Sequence, residues 1–248
     1  MNPSAAVMTE LAPQGVLRTA INYGNPVLAQ RGADGAPTGV SVALARALAE
    51  RLGVSVHFIT YDAAGKVFAA LEEDAWDLAF LAIEPVRAAQ IAFSEPYVII
   101  EGTYLLRQDH PARQVADLDQ AGRRIAVGQG AAYDLYLSRT LTQAELVRAP
   151  TSAAAIDLFF EQGLDAAAGV RQPLEAQAAA RPGYRVLADS FTEIRQAMAV
   201  PKGREAAAAF VQAFLDDQLR NGFVARELAA SGQGDVRVGV PATGLQGG

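Results

Sequence analysis

Trp76-Asp77-Leu78-Ala79-Phe80-Leu81-Ala82-Ile83-Glu84-Pro85-Val86-Arg87 decides the fold. The apolar run Leu78 to Leu81 is too short for a helix and reads as a buried strand. Pro85 suits the first turn of a helix, where its missing N–H has no partner to lose, and Glu84 stands just before it. A short strand passing straight into a helix is the unit of a parallel sheet with helices on its faces.

The same unit recurs on both sides. Val16 to Asn22 reads as a strand ending in an Asn22-Tyr23-Gly24-Asn25-Pro26 turn. Ser41 is expected to cap a helix with Leu44, Leu48 and Leu52 on one face, stopped by Gly53. Val54, Val56 and Phe58 alternate as a strand. Asp62 can cap a helix carrying Val67 and Leu71. A long strand-like segment runs from about Phe93 to Leu106. Arg124 to Val127 is the next strand, and Gly128-Gln129-Gly130 leads into a helix from about Ala132 to Leu141. Leu146 and Val147, Asp165 to Val170, Val186 and Leu187, and Gln196 to Val200 read as further strands. Thr151 caps a helix with Ile156, Phe159 and Phe160, and an amphipathic helix spans Glu205 to Leu219. Gly222 stops it, and a last short helix holds Phe223 to Leu228. Two such series, each too short for one large sheet, predict two lobes. Ligands of such sheets bind beyond the carboxyl ends of the strands. That rule selects four loops: Asn22 to Pro26, Ala82 to Arg87, Gly128 to Tyr133 and Gly169 to Pro173.

Composition narrows the function. The chain has 248 residues, 51% of them hydrophobic, and a net charge of −6. With no basic run to displace counterions, no nucleic-acid partner is expected. The absence of cysteine excludes disulfides and thiolate chemistry. Two histidines far apart, His57 and His110, predict no metal site. His57 is read as an ordinary strand residue and His110 as solvated. No apolar stretch reaches about 18 residues, so no membrane insertion is expected. Met1 to Leu11 lacks the basic and apolar regions of a secretory signal, so it is expected not to be one.

Five stretches, in this order, resemble a known family: Gly39 to Ala49, Trp76 to Phe80, Arg87 to Tyr97, Arg124 to Gly130 and Gly163 to Gly169. Together they are similar to the family 3 extracellular solute-binding proteins of ABC importers, the amino-acid-binding type, over about Val16 to Leu228. The resemblance implies an α/β, two-lobe periplasmic-binding-protein-like fold (type II), with two mixed sheets flanked by helices and two hinge-strand crossings. The crossings are expected near Tyr104 to Gln108 and Ala197 to Lys202. Lobe 1 would take residues 12–105 and 200–230, lobe 2 residues 106–199, and 1–11 and 231–248 would be flexible tails. The implied activity is capture of a small anionic or zwitterionic molecule between the lobes for a membrane permease. The protein is expected to be a monomer, periplasmic if exported, with no cofactor.

The candidate ligand residues follow from the loops and the resemblance. Arg87 matches the family arginine that grips a ligand carboxylate, a task suited to a planar guanidinium with parallel donors. Gln129, Gly130 and Ala131 offer backbone amides at a helix start, which attract anions. Ala131 and Ala132 stand where the family has hydroxyl side chains. Gly24-Asn25-Pro26-Val27, with Asn22 and Tyr23 just before, stands where the family has an aromatic clamp, so stacking on the ligand is either lost or taken over by Tyr23 or Tyr133. Phe80 and Ala82 stand at small hydroxyl positions, and Glu84 at a threonine. Val170 falls where the family has the aspartate that pairs with an α-ammonium, and Arg171 follows it.

Two explanations are open: Glu84 takes the ammonium, or Arg87 and Arg171 clamp a ligand without one. Glu84 could instead be only a helix cap. Two other functions compete. One is a dehydratase of cyclohexadienyl acids using Glu84 as general acid. The other is a cytosolic ligand-sensing domain.

Overall fold

A computed structural model describes residues 2–242. Along the chain it forms α1 (Ala5–Leu11), β1 (Val16–Asn22), β2 (Gln30–Arg31), β3 (Pro37–Thr38), α2 (Val40–Leu52), β4 (Ser55–Tyr61) and α3 (Ala64–Ala69). There follow β5 (Ala79–Ala82), α4 (Pro85–Ala88), β6 (Ile91–Arg107), β7 (Arg124–Gly128), α5 (Ala132–Thr140), β8 (Glu145–Ala149) and α6 (Ser152–Gln162). The rest is β9 (Ala166–Val170), α7 (Arg171–Ala180), β10 (Tyr184–Val186), β11 (Thr192–Pro201), α8 (Glu205–Arg220), α9 (Phe223–Ala230) and β12 (Arg237–Val238). The predicted strand-helix alternation is present throughout.

The chain divides into two compact units. Unit 1 comprises Met1–Tyr61, Lys66–Ile99 and Arg195–Gly248, and unit 2 comprises Asp62–Gly65 and Ile100–Ile194. Apart from the short Asp62–Gly65 segment, the divisions fall within β6 and within β11, whereas the sequence placed them at 105/106 and 199/200. Both strands run without a break through the division, so no turn residue or change of composition marks it.

In unit 1, β1 and β4 pair in parallel over their whole length. Strand β5 joins β1 through a parallel bridge between Thr19 and Leu78 and pairs antiparallel with β11. One buried carboxylate fixes this arrangement. Asp77 is fully buried and accepts from Arg18 Nε and Nη2, each at 2.8 Å, and from Arg204 Nη1 at 2.7 Å. Its own N–H donates to Arg18 O at 2.9 Å. Beside it Trp76, also fully buried, donates Nε1 to Val67 O. The carboxylate therefore ties β1, the start of β5 and the approach to α8 to one point.

The helix caps differ in one place from expectation. Thr151 caps α6, accepting from Ala154 N, and Gly53 ends α2 in the left-handed region. The start of α2 is capped by Gly39 rather than Ser41. Gly39 has φ 106, and a Cβ there would lie 2.6 Å from Leu28 O. Ser41 is inside the helix, and its hydroxyl bonds the buried Tyr97 hydroxyl at 2.9 Å.

The ends are not loose where they are described. Residues 5–11 form a helix with Leu11 fully buried. Glu10 Oε2 accepts from Ala207 N at 2.7 Å, supplying a partner for one of the first-turn donors of α8. Strand β12 pairs with Val98 and Ile99 of β6. Gly239 is required there, because a Cβ would sit 1.7 Å from Pro96 O. Met1 and 243–248, the remainder of the expected tails, lie outside the described residues.

In unit 2, β7 lies between β8 and β9, parallel to both. Strand β9 pairs antiparallel with Gly102–Leu105 of β6, whose end also pairs with β10. Leu105, Ala126, Ile156, Phe159, Leu164 and Leu174 form the core, with Phe160 and Tyr184 edge-on against each other. Helix α7 stands where the sequence reading had a loop at Gly169 to Pro173. Pro173 lies in the first turn of this helix, where proline is tolerated. The alanine-rich stretch behind it was the helix signal.

His110, expected to be solvated, is 4% exposed. Its Nδ1 accepts from Ala112 N at 3.2 Å, and Nε2 lies 3.6 Å from Asp165 Oδ1. Burial, aided by the positive charge of Arg123, holds its pKa below the ordinary value against the pull of Asp165.

Two outcomes are expected. Asp77→Ala should cost about 3–5 kcal/mol in urea unfolding, because it strands two arginines at a buried point. Because the folded His110 is the weaker base, the unfolded chain takes up more protons. Stability should therefore fall as pH drops below about 6.5, and His110→Gln should remove that part of the slope in melts across pH 5 to 8.

Candidate functional site

The parallel pairings place the candidate loops of each unit at one end of its strands. In unit 1 the ends of β1 and β5 carry Asn22, Tyr23, Asn25, Ala82, Glu84 and Arg87. In unit 2 the ends of β7 and β9 carry Gln129, Gly130, Ala131, Tyr133, Val170 and Arg171.

Arg87 is the charged centre of the first group. It belongs to α4 and is 1% exposed. Its Nη1 donates to Ala82 O at 3.0 Å, so the last residue of β5 aims the guanidinium. Burial pulls its pKa down to about 10, while the charge of Glu84 pulls it back up. The group is still a cation at neutral pH. Glu84, 8% exposed, occupies the N-cap position of α4, but its side chain makes no capping hydrogen bond. Its backbone carbonyl accepts from Arg87 N and Ala88 N instead. The carboxylate is thus kept for contacts other than capping.

The neighbouring residues shape the loop. Asn22 Oδ1 accepts from Gly24 N at 2.8 Å, and Asn25 Oδ1 accepts from Val27 N at 3.3 Å. These turns hold both asparagines to their own backbone. The Tyr23 ring is covered by Arg31, whose guanidinium carbon lies 5.0 Å from the centroid. Phe80, expected among ligand residues, is a core residue. It is 4% exposed and stands edge-on to Tyr97 at 5.7 Å.

The second group differs more from expectation. The amides from 128 to 131 were to be anion donors. Gly128 N donates to Tyr133 Oη at 3.0 Å, Gln129 N to Ala149 O, Gly130 N to Asp134 Oδ2 at 2.8 Å, and Ala131 N to Gly128 O. The chain's own groups have taken them. Asp134 is the decisive residue, 3% exposed, with Arg148 balancing its charge at 3.0 Å. An acid in the first turn, four residues after Gly130, was its signal in sequence. Tyr133 is turned inward for the same reason. It is 2% exposed, its hydroxyl bonds Ser152 Oγ at 2.7 Å, and burial raises its pKa. It does not offer its ring for stacking. Gly128 is needed under it, since a Cβ would lie 2.8 Å from both Ser152 N and the phenol oxygen. Gln129 points its exposed side chain to solvent.

Arg171 is also committed within the fold. Nε bonds Glu101 Oε2, Nη1 donates to Leu187 O at 2.9 Å, and Nη2 donates to Ala188 O and Asp189 O at 3.1 Å each. Thr103 Oγ1 reaches the same loop through Leu187 O and Asp189 O. The guanidinium staples the segment before β11 to β6. One of the two open explanations had this arginine clamp a ligand with Arg87; its donors are instead bonded within unit 2. Val170, in the aspartate's place, ends β9 and precedes α7.

Among the described residues no group of three or more acidic or histidine side chains could hold a metal ion. No helix among the described residues is long and apolar enough to cross a membrane. A cavity of about 250 Å³ lies elsewhere in unit 1, lined by Arg51, Phe210, Phe214, Asp216, Asp217 and Arg220. It belongs to the helix layer and is not at the strand ends.

The model of the bacterial extracellular solute-binding proteins, family 3, matches residues 17–229. The chain belongs to this family. Its architecture is that of solved periplasmic binding proteins. An amino acid ABC transporter substrate-binding protein from Streptococcus pneumoniae, bound to L-arginine, is 19% identical with TM-score 0.77, covering 95% of this chain and 100% of that one. The ancestral amino acid-binding protein AncCDT-1, a precursor of cyclohexadienyl dehydratase, is 23% identical with TM-score 0.75, over 90% and 98% of the two chains. A histidine kinase sensor domain with similarity to periplasmic binding proteins is 26% identical with TM-score 0.76, over 90% and 97%. No curated protein sequence matches the chain. The family is one of amino-acid-binding solute-binding proteins, typically extracellular or periplasmic, in which non-enzymatic binders predominate.

Within this family chain, Tyr133→Phe should cost about 1–3 kcal/mol, since it leaves Gly128 N–H and the Ser152 hydroxyl without a buried partner. Thermal unfolding against wild type reads this directly.

Proposed function

We propose that this chain is a solute-binding protein that captures a small carboxylate-bearing molecule, an amino acid or related organic acid, outside the cytoplasm and delivers it to an ABC transporter. The observation that carries the reading is Arg87, a guanidinium buried to 1% exposure at the end of β5 and aimed by Ala82 O. A buried cation is costly to keep in a protein interior unless anionic charge compensates it. Glu84 supplies some of that charge from within the chain. A ligand carboxylate would add to it and form parallel hydrogen bonds with the guanidinium. Family membership supports the ligand class, and the bound L-arginine of the S. pneumoniae neighbour agrees with it.

Glu84 has two roles open in this reading. It can accept from an ammonium group on the ligand, or it can tune Arg87. Its burial beside an arginine also favours one other reading, a dehydratase in which it protonates a leaving hydroxyl. The AncCDT-1 neighbour, named as a precursor of such an enzyme, belongs to the same comparison.

A thermal-shift screen against amino acids, keto acids and dicarboxylates should raise the melting temperature with at least one, because a ligand bound only to the folded state stabilises by mass action. Arg87→Ala should abolish that shift while the chain still folds. Unchanged affinity in Arg87→Ala would end the anchor role. Consumption of added prephenate or arogenate would replace the binder with the enzyme.

A further inference from the structure

The turn that follows β6 is held through one imidazole. His110 and Ala112, on either side of Pro111, are each 4% exposed. His110 Nδ1 accepts from Ala112 N at 3.2 Å. A neutral imidazole has one N–H and one acceptor nitrogen, so its proton is on Nε2. That Nε2 is buried and has no hydrogen-bond partner among the described residues. It faces Asp165 Oδ1 at 3.6 Å, beyond hydrogen-bond reach.

Every group around the ring belongs to unit 2. Asp165, just before β9, accepts from Arg123 Nη1 and from Arg124 N at 2.8 Å each. Arg185 of β10 donates Nη2 to both His110 O and Ala112 O, so its guanidinium spans the turn. Arg107, at the end of β6, pairs with Asp109. The charged groups on the elements packed against the ring are thus Arg107, Asp109, Arg123, Arg124, Asp165 and Arg185.

A second proton changes both sides of the ring. It can go only to Nδ1, because Nε2 already carries one. Nδ1 then becomes a donor facing the Ala112 N–H, and two donors cannot bond. Ala112 N would be left buried without a partner, which is costly. On the other side the ring gains a charge that attracts Asp165. A charge-assisted N–H···O bond prefers about 2.8 Å, shorter than the 3.6 Å present. Both effects drive the ring from Ala112 toward Asp165.

We propose that the turn from His110 to Ala112 is a pH-operated latch in unit 2, closed by the neutral imidazole and released when Nδ1 is protonated. Release opens the Ala112 N–H to solvent and frees the start of the connection from β6 to β7. The pairings of β7 with β8 and β9 persist. Burial and the charge of Arg123 disfavour the imidazolium, so release lies on the acid side of the ordinary histidine value, about 6.5.

The experiment is nitrogen NMR of the imidazole rings together with amide exchange, taken from about pH 8 to about pH 4.5. The chain has two histidines, and His57→Gln leaves His110 as the single ring observed. At the alkaline end the ring should be the Nε2–H form. The protection factor of the Ala112 amide should fall at least ten-fold, with the midpoint of the ring titration. Those of Ala126 and Val127 in β7 should hold. Asp165→Asn should move both midpoints to lower pH together, and His110→Phe should leave Ala112 unprotected at every pH. An Nδ1–H ring at the alkaline end, a ring that stays neutral throughout, or Ala112 protection that ignores the ring's titration overturns the latch. Loss of protection at Ala126 together with Ala112 also overturns it, since that is global unfolding. So do unmoved midpoints in a folded Asp165→Asn. If Asp165→Asn does not fold, the wild-type and His57→Gln measurements decide.

Discussion

The buried carboxylate of Asp77 is the constraint on which unit 1 depends. It accepts from an arginine in β1 and from a second arginine just before α8, while its own amide bonds the backbone of β1. These bonds fix where β5 lies against β1. That register in turn decides where β5 ends, and so where Ala82 O holds the Arg87 side chain. Burial alone would push the Asp77 pKa up, but the two guanidinium groups outweigh it and hold the carboxyl below the ordinary range. The pair works only with both signs present, as is general for buried ions. A structural ion cluster thus sets the position of the buried Arg87 guanidinium.

Unit 2 uses its charges differently. Its helix start at α5 has the glycines that bring an anion close, yet the anion there is the chain's own Asp134. The arginine after β9 has a carboxylate partner too, and it is Glu101. Each feature that looks like a ligand site in the sequence is closed by a side chain from within the unit. The energetic logic is the same in both. A donor at a helix terminus or a half-buried guanidinium needs an acceptor, and an internal one is present at all times.

Those internal partners explain what could be read from the sequence and what could not. The strand at Leu78, the proline start of α4, the Thr151 cap and the stop at Gly53 are local, each set by a few neighbouring residues. They were legible for that reason. Helix α7 follows β9 directly, with Arg171 its first residue, where a loop was expected over Gly169 to Pro173. The Asp134 plug lies four residues from Gly130 and could have been found as a first-turn acid. The Glu101 partner of Arg171 lies 70 positions away. No local pattern announces it, and the same holds for the loop carbonyls that take its other donors. The core role of Phe80 is also a tertiary fact, since it depends on Tyr97 packing against it.

The polarity that remains is asymmetric. Unit 1 holds a buried cation tuned by an adjacent carboxylate, and unit 2 holds charges neutralised by partners within it. In the proposed reading a ligand carboxylate would meet a desolvated donor at Arg87, with Glu84 moderating the attraction. Electrostatic complementarity of this kind selects among ligands more than it strengthens binding to any one of them.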